Sequence, residues 1–138
     1  MAGPSHEFLE HTGEVQLRAV APDLAGVLAE AGRALAELEL RQSPLPPPEG
    51  PWKTVEVHAA DRAALLVDWL NELLYLAEVE RWIPVAFEVV GADDRLVRAR
   101  VGGVPVERSP ALVKAATLHG VRVDPIAGGM EADVILDI

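Results

Sequence analysis

The amino-acid sequence predicts an α+β protein, a two-layer sandwich in which two main helices pack on a mainly antiparallel or mixed β-sheet. Two long segments repeat apolar residues at helical spacing, and the other apolar segments alternate with polar residues. Their order is strand, helix, strand, helix and then several strands. Helices that do not follow every strand favour an antiparallel or mixed sheet over a parallel one.

The first strand segment spans residues 6–20. Polar residues occupy alternate positions within it: Glu10, Thr12, Glu14 and Gln16. An unbroken strand would place all four side chains on one face, because successive side chains of a strand point to opposite faces. Gly13 could instead insert a bend or a bulge.

The first helix is expected over 24–40, after Asp23, a residue type that caps helix N-termini. The second helix begins after Asp61 and follows the segment ADRAALLVDWLNELLYLAEVERW, whose broad apolar stripe places it at the centre of the core. Between the helices lies SPLPPPEGP, residues 43–51, which cannot be helical because proline lacks the amide hydrogen. We interpret it as a stiff surface connector, with a proline-rich docking motif as the alternative.

Further strands are expected where apolar and polar residues alternate: 52–59, 85–90, 96–101, 120–124 and 133–138. GADDR suits a hairpin turn between two of them, and 104–106 extends or closes the same ladder. His58 is expected to face solvent. Residues 109–119 are ambiguous, because SPALVKAATLH fits one helical turn followed by a strand.

The length of 138 residues and the apolar half of the composition suit a single domain over 1–138. The chain has no cysteine, so disulfides, thiolate nucleophiles and cysteine zinc sites are excluded. No apolar run approaches the length of a membrane span, and no basic segment precedes an apolar one at the N-terminus. We therefore expect a cytoplasmic protein that does not enter membranes.

The formal net charge is −10 at pH 7, from 22 acidic and 12 basic residues. Such a field repels phosphate backbones and attracts cations or a basic protein surface. Direct nucleic-acid binding by this chain alone is therefore not expected. A high net charge also keeps proteins soluble, which is the simpler interpretation of the same number.

Motifs of the common enzyme classes are absent from the sequence: the phosphate-binding glycine loops, GxSxG, HExxH and the EF-hand loop. The four histidines, at positions 6, 11, 58 and 119, are too scattered to predict a zinc cluster. Oxygen ligands therefore remain as the chemistry to consider.

The acids of the first and last strand segments are the strongest candidates. Glu10 and Glu14 are four residues apart, and apolar neighbours predict that Asp137 is buried. Buried carboxylates that meet need a proton, a basic side chain or a hard cation such as Mg²⁺ or Ca²⁺. The alternative is structural: Asp137 points to solvent, and Glu14 pairs with Arg18 or Lys114.

Four segments resemble motifs of the archease family, in the family's order. EHTGEVQL (10–17) is similar to the signature HTAD followed by Ile or Val, and LLVDWLNELLYLAEVE (65–80) to the central helix. VKAATLHGVRV (113–123) is similar to VKAxTYHxLxV, and ADVILDI (132–138) to the apolar C-terminus that ends in Asp-Ile. The resemblance spans most of the chain and implies a small α+β protein.

The function that the resemblance implies is activation of an RtcB-type RNA ligase, in tRNA splicing or RNA repair, without catalysis by the chain itself. Such ligases join a 2′,3′-cyclic phosphate or 3′-phosphate end to a 5′-hydroxyl. They use GTP to guanylylate an active-site histidine, with a divalent metal. Members of the family promote guanylylation and permit multiple turnover.

The resemblance further implies a divalent cation, Ca²⁺ or Mg²⁺, as cofactor. The metal-binding acid of the signature falls on Glu14 and the terminal acid on Asp137, with Ile138 beside it. Residues that could support the cation or contact the partner are Glu10, His11, Lys114 and His119. Gly13 and Glu14 stand where the signature has Ala and Asp, so the carboxylate is one methylene longer, and Leu118 stands where Tyr is usual.

Two alternatives from other functional classes remain open on the sequence. One is a metal-dependent phosphohydrolase, which would act without a ligase. The other is a non-catalytic acidic module for protein interaction or chaperone-like action, in which the acids matter only through net charge. The sequence does not predict an oligomeric state.

Overall fold

The computed structural model describes residues 3–11, 13–110 and 112–138, without the side chains of Glu10 and His11. The described chain forms seven strands and two helices. They are β1 (Ser5–His11), β2 (Glu14–Ala21), α1 (Leu24–Leu40), β3 (Lys53–His58), α2 (Arg62–Val79), β4 (Trp82–Asp93), β5 (Leu96–Pro105), β6 (Ala115–Ile126) and β7 (Gly129–Asp137).

The strands form two antiparallel sheets, one of four strands in the order β1-β2-β7-β6 and one of three in the order β3-β5-β4. The predicted α+β class, with two helices packed on antiparallel strands, is confirmed. The division of the strands between two sheets was not predicted. Both helices contact both sheets, and their apolar residues join those of β2, β5 and β7 in one core.

The segment predicted as one strand is a hairpin, β1 and β2, with Gly13 in the turn at φ 72°. Glycine adopts this left-handed backbone without the steric cost that a side chain would impose. The reversal pairs Glu10 with Val15 and His11 with Glu14 in register. The expectation of one shared face for the polar residues is therefore wrong, and the bend at Gly13 is confirmed; Thr12 lies outside the described residues.

Both helices begin at the predicted caps. The Asp23 carboxylate accepts a hydrogen bond from the amide of Gly26 at 2.7 Å, and that of Asp61 accepts one from Ala64 at 2.8 Å. Each bond satisfies an amide that has no partner within the first turn of its helix. The second helix stops at Val79, earlier than predicted, because Trp82 already belongs to β4.

The proline-rich connector packs along β5. The Glu49 amide donates to the Gly103 carbonyl at 2.8 Å. Pro48 and Trp52 lie so close to Gly102 that a Cβ there would come within 2.8 Å of each. These contacts favour the structural interpretation of the connector over a free docking motif.

The ambiguous segment before β6 carries no helical turn at 106–110 or 112–114. Strand β6 then runs from Ala115 to Ile126 with an irregularity between Thr117 and Arg122, where Gly120 has φ 68°. Strand β7 begins at Gly129, four residues before the predicted start, because a tight turn replaces the expected loop. The side chain of His58 is exposed, as predicted.

Candidate functional site

Glu14 and Asp137 lie directly opposite each other at one end of the β2–β7 pair. Glu14 is the first residue of β2, immediately after the Gly13 turn, and Asp137 is the last residue of β7. Antiparallel pairing brings these two ends of the strands together although 123 positions separate them in the chain. The sequence-predicted pair of acids is therefore formed.

The backbone hydrogen bonds show which type of pair this is. The amide of Ile138 donates to the Gly13 carbonyl at 3.2 Å, and the Asp137 carbonyl accepts from the Lys114 amide at 2.7 Å. The main chain of Asp137 thus faces β6 and not β2, which makes Glu14–Asp137 a non-hydrogen-bonded pair. In such pairs the Cα atoms are about 4.5 Å apart and the side chains are at their closest.

Alternation along the two strands puts both carboxylates on the outer face of the sheet. Val15 and Leu17 of β2, like Val134 and Leu136 of β7, are buried on the inner face. Glu14 is half-buried and Asp137 is exposed. The prediction that Asp137 is buried is therefore wrong, because its apolar neighbours 134 and 136 belong to the opposite face.

The structural alternative is confirmed for Asp137, which is exposed to solvent, but it is wrong for Glu14 among the described residues. Arg18 donates instead to Asp133 at 2.8 Å and to Glu7 at 3.4 Å. No described lysine, arginine or histidine nitrogen lies within 4.0 Å of the carboxylate of Glu14 or Asp137. Like charges directly opposite each other in a sheet are destabilising, and no described basic side chain offsets that repulsion here.

The other predicted residues are distributed around this pair. Lys114 contacts Asp137 through its backbone amide, and its side chain is exposed. His119 lies four residues beyond Ala115, the register partner of Asp137, in the irregular part of β6. His119 has no register partner on β7, and it is not among the residues that pair with Asp137. The side chains of Glu10 and His11 lie outside the described residues.

The donor set suits a hard cation that keeps part of its water shell. Within the described residues, no three His, Asp or Glu side chains form a group that could hold a metal. Two carboxylates are available, and the amide contact with Gly13 holds Ile138 beside them. Mg²⁺ is commonly held by one or two carboxylates together with several waters, and Ca²⁺ also accepts main-chain oxygens. The residues present therefore fit such an ion.

A buried carboxylate on the same outer face was missed by the sequence prediction. Asp133 is only 3% exposed. One of its oxygens accepts from Gln16 at 3.1 Å and from Arg18 at 2.8 Å, and the other accepts from Arg122. Gln16 and Arg18 are on β2 and Arg122 is on β6, so the carboxylate joins three adjacent strands. The alternating pattern predicts an outward position for Asp133 but not the arginines that cover it.

Burial acts to raise the pKa of Asp133, but the hydrogen bonds from Arg18, Gln16 and Arg122 outweigh it and hold the pKa below its ordinary value. The guanidinium groups share this stabilisation: the hydrogen bond to Asp133 raises the pKa of Arg18 and of Arg122. Asp133 is therefore a charged, fully paired residue, and it is not available as a cation ligand.

A second buried carboxylate, Glu30 of α1, also has partners. One oxygen lies 2.6 Å from His6 Nδ1, and the other accepts from Arg33 Nε at 3.0 Å. The other ring nitrogen of His6 lies 3.2 Å from Glu37. The cluster ties β1 to α1, and no atom of Glu30 is left for a ligand.

Glu39 is different, because its Oε2 atom is buried and has no hydrogen-bond partner among the described residues. Its side chain borders a small apolar cavity between α1, α2 and β4, lined by Leu35, Leu73 and Ile83 among others. Burial raises the pKa of Glu39 to about 7, and the charge of Glu78 adds to the effect. The nearest acid on the facing helix therefore opposes ionisation and does not relieve it.

Comparison with known proteins identifies the class. Residues 6–138 match the model of the Archease protein family (MTH1598/TM1083). A protein archease from Methanopyrus kandleri is 30% identical over 96% of this chain and 98% of its own length. The solution structure of Methanobacterium thermoautotrophicum protein 1598 has a TM-score of 0.71 and 27% identity, covering 96% of this chain and 98% of its own.

A crystal structure from Thermotoga maritima, described as an archease and possible chaperone, shares the fold with a TM-score of 0.66. It is 16% identical and covers 97% of this chain and 98% of its own. The family match extends over nearly the whole chain, and the chain belongs to the archease family. In the described part of the structure, neither helix has the length and apolar character needed to cross a bilayer.

Proposed function

We propose that this chain activates an RtcB-type RNA ligase and is not itself the catalyst. The observation that carries the proposal is the Glu14–Asp137 pair, two acids from distant parts of the chain placed side by side where the two central strands of the sheet end. These are the positions that match the metal-binding acids of the archease motifs. The description of the Thermotoga maritima relative as a possible chaperone is compatible with action on a protein partner.

In this proposal Glu14 and Asp137 hold a divalent cation, Mg²⁺ or Ca²⁺, with a main-chain oxygen of Ile138 beside them. The cation would neutralise phosphate charge where the ligase binds its nucleotide. The chain contributes two carboxylates in a set position: the β2–β7 pairing holds both backbones, and the partly buried Ile138 packs against the core next to them. The longer Glu14 side chain suits the less strict geometry of Ca²⁺ as well as Mg²⁺.

The exposure of the pair supports action on a partner more than self-sufficient catalysis. A phosphohydrolase would need a pocket with a general base or nucleophile close to the metal. On the β6 side of Asp137 the described neighbours are Ala115 and the backbone of Lys114, and neither is such a group. The lysine side chain is exposed and free to contact phosphate or an acid of the ligase as a point charge.

The test is ligation by an RtcB-type ligase in single- and multiple-turnover assays, with added wild-type chain, Glu14→Ala or Asp137→Ala. Guanylylation of the ligase is followed separately with labelled GTP. We expect the wild type to increase guanylylation and the turnover number. The increase produced by each variant should be at least tenfold smaller than that of the wild type. The effect of both variants should exceed that of Glu49→Ala, a matched control because Glu49 is an exposed acid on the connector.

Three outcomes separate the functional classes. Wild-type activation that both variants retain would contradict the cation hypothesis and favour an interaction module acting through net charge. No activation of any tested RtcB-type ligase would overturn the proposed function. Release of phosphate from nucleotide or RNA by the purified chain, abolished by Asp137→Ala, would establish the phosphohydrolase instead.

A further inference from the structure

One side of α2 points to solvent and carries acidic and apolar residues in a single row. We call this row the α2 stripe, and its members are Asp68, Glu72, Tyr75 and Val79. The spacing of four, three and four positions aligns them along one face of the helix. Tyr75 is 51% exposed and Val79 is 60% exposed. The opposite face of α2 supplies the buried core residues, so the core does not use the side chains of Tyr75 and Val79.

The acids of the α2 stripe have no basic partner in the described structure. No described lysine, arginine or histidine nitrogen lies within 4.0 Å of the carboxylates of Asp68 and Glu72. The surface acids of the three-stranded sheet differ: Glu56 pairs with Arg98 at 3.0 Å, and Glu88 is 3.9 Å from Arg100. Negative charge is thus uncompensated on the helix, while it is balanced on the exposed sheet face.

Asn71 connects the α2 stripe to the Glu14–Asp137 pair. Its side-chain amide donates to the Ala116 carbonyl at 3.1 Å, and its side-chain carbonyl accepts from the Ala116 amide at 2.8 Å. Ala115, the preceding residue, is the register partner of Asp137. Glu72 follows Asn71 in the chain. The Asn71 side chain therefore joins the helix that carries the stripe to the strand that pairs with Asp137.

We infer that the α2 stripe is the docking surface for a basic, partly apolar face of the RNA ligase, next to the site that Glu14 and Asp137 address. This inference rests on the proposed function. An enzyme that binds RNA must surround its active site with positive charge, because lysine and arginine neutralise the phosphates. Asp68 and Glu72 complement that charge, Tyr75 is a residue type enriched in binding hot spots, and Val79 adds apolar contact area beside it.

The same charges argue against the other occupants. A second copy of this chain would bring Asp68 and Glu72 of two molecules together, and each molecule carries a net charge of −10. A nucleic acid would be repelled for the same reason. A cationic protein surface with exposed apolar residues is the partner that the chemistry of this stripe accepts.

The experiment measures the concentration of this chain that gives half-maximal stimulation of the ligase. Variants in the stripe are Glu72→Lys and the double variant Tyr75→Ser/Val79→Ser. One matched control is Glu49→Lys, which makes the same change of net charge as Glu72→Lys. The other is Val90→Ser, which removes a 55% exposed valine from β4 of the three-stranded sheet. We expect each stripe variant to raise the half-maximal concentration about tenfold, which corresponds to about 1.4 kcal/mol of binding free energy.

Docking and cation delivery leave different signatures. Stripe variants should reach the wild-type plateau of stimulation at high concentration, whereas Asp137→Ala should lower the plateau itself. The Glu72→Lys effect should shrink as salt rises, because salt screens exposed charges. Thermal unfolding of all four variants should match the wild type, which separates docking from misfolding.

Unchanged half-maximal concentrations for both stripe variants, with a stimulating wild type, would overturn the docking inference and leave the proposed function intact. An equal loss in Glu49→Lys would also overturn it, since net charge would then explain the effect. Dimerisation of the wild type that Tyr75→Ser/Val79→Ser abolishes would assign the stripe to a second copy. A wild type that stimulates no ligase would overturn both proposals together.

Discussion

Glu14 and Asp137 are register partners in a non-hydrogen-bonded pair of β2 and β7, with no described basic nitrogen within 4.0 Å of either carboxylate. Two like charges in this position oppose the pairing of the strands that hold them. This repulsion should make the stability of the chain depend on divalent cations and on the charge of Asp137.

The first prediction concerns the response of stability to divalent cations. We expect Mg²⁺ or Ca²⁺ to raise the thermal unfolding midpoint of the wild type above its value in a chelator, because the ion binds only the folded pair. Asp137→Asn should be more stable than the wild type in the chelator by about 0.2–1 kcal/mol, since one like charge is gone. Its midpoint should not respond to the ion.

The same measurement has a control in Glu49→Gln, which should respond to cations as the wild type does. A wild type without any response to millimolar Mg²⁺ or Ca²⁺ would contradict the cation site independently of any ligase. So would an Asp137→Asn variant that keeps the full response.

The second prediction concerns Asp133. Replacing it with Asn removes the charge that Arg18 and Arg122 share, so we expect the free energy of unfolding to fall by about 2–3 kcal/mol. The loss should be smaller than for a fully buried ion pair, because both arginines are partly exposed. Urea unfolding at pH 7 measures the difference. Surface substitutions usually change the free energy of unfolding by less than about 0.5 kcal/mol. A loss of that size or smaller for Asp133→Asn would contradict the prediction.

Asp133 also sets a pH dependence. Its pKa in the folded state lies below the ordinary 3.8, so its stabilisation is present above that value and is lost as the pH falls through the lower, folded-state pKa. In acid the wild type should therefore lose its advantage over Asp133→Asn. Parallel stability profiles for the two proteins between pH 7 and strong acid would contradict this expectation.

The third prediction concerns Glu39, whose pKa is raised to about 7 from an ordinary 4.5. Because the folded state holds the proton more tightly, this stabilisation is present below pH 4.5 and is lost as the pH rises to about 7. Glu39→Gln keeps the shape of the neutral acid. At pH 8 we expect it to exceed the wild type by about 1–2 kcal/mol, a figure reduced for partial exposure.

Urea unfolding at pH 5 and pH 8 measures this effect, with Glu49→Gln as a control on an exposed acid. The advantage of Glu39→Gln should be larger at pH 8 than at pH 5. An advantage that is equal at both pH values would show that titration of Glu39 is not its origin.

The fourth prediction concerns Asn71, which binds both main-chain groups of Ala116. Asn71→Leu leaves the amide and carbonyl of the buried Ala116 without these partners, so we expect a loss of about 2 kcal/mol. Hydrogen exchange of the Ala116 amide should become faster. Asn71→Asp keeps an acceptor for that amide, and should therefore protect it more than Asn71→Leu; equal exchange in all three proteins would contradict the role of the bridge.

Local patterns along the chain predicted the helices well. Asp23 and Asp61 indicate where each helix starts because capping needs only a carboxylate three residues before a free amide. The alternation in 133–138 indicated a strand, but its apolar majority suggested that Asp137 is buried. Only the pairing with β2 shows that residues 134 and 136 face the core and 137 does not.

The residues of the candidate site were predicted by resemblance to archease motifs, and their proximity was not derivable from spacing. The turn at Gly13 changes the register partner of Glu14 to His11, and it removes Glu10 from the row that an unbroken strand would have formed. The Asp133 network was not predicted at all, since Gln16, Arg18 and Arg122 come from segments distant from it in the chain.

The sequence by itself determined the α+β class, the two helices, the absence of thiol chemistry and the acids available for a cation. Those properties depend on composition and on contacts within a few residues. The tertiary structure decided that the strands divide into two sheets and that Glu14 meets Asp137. It also decided that Asp133 is paired, while Asp68 and Glu72 have no basic partner among the described residues. The register of distant strands sets these relations, because a shift of one residue would turn every side chain to the other face.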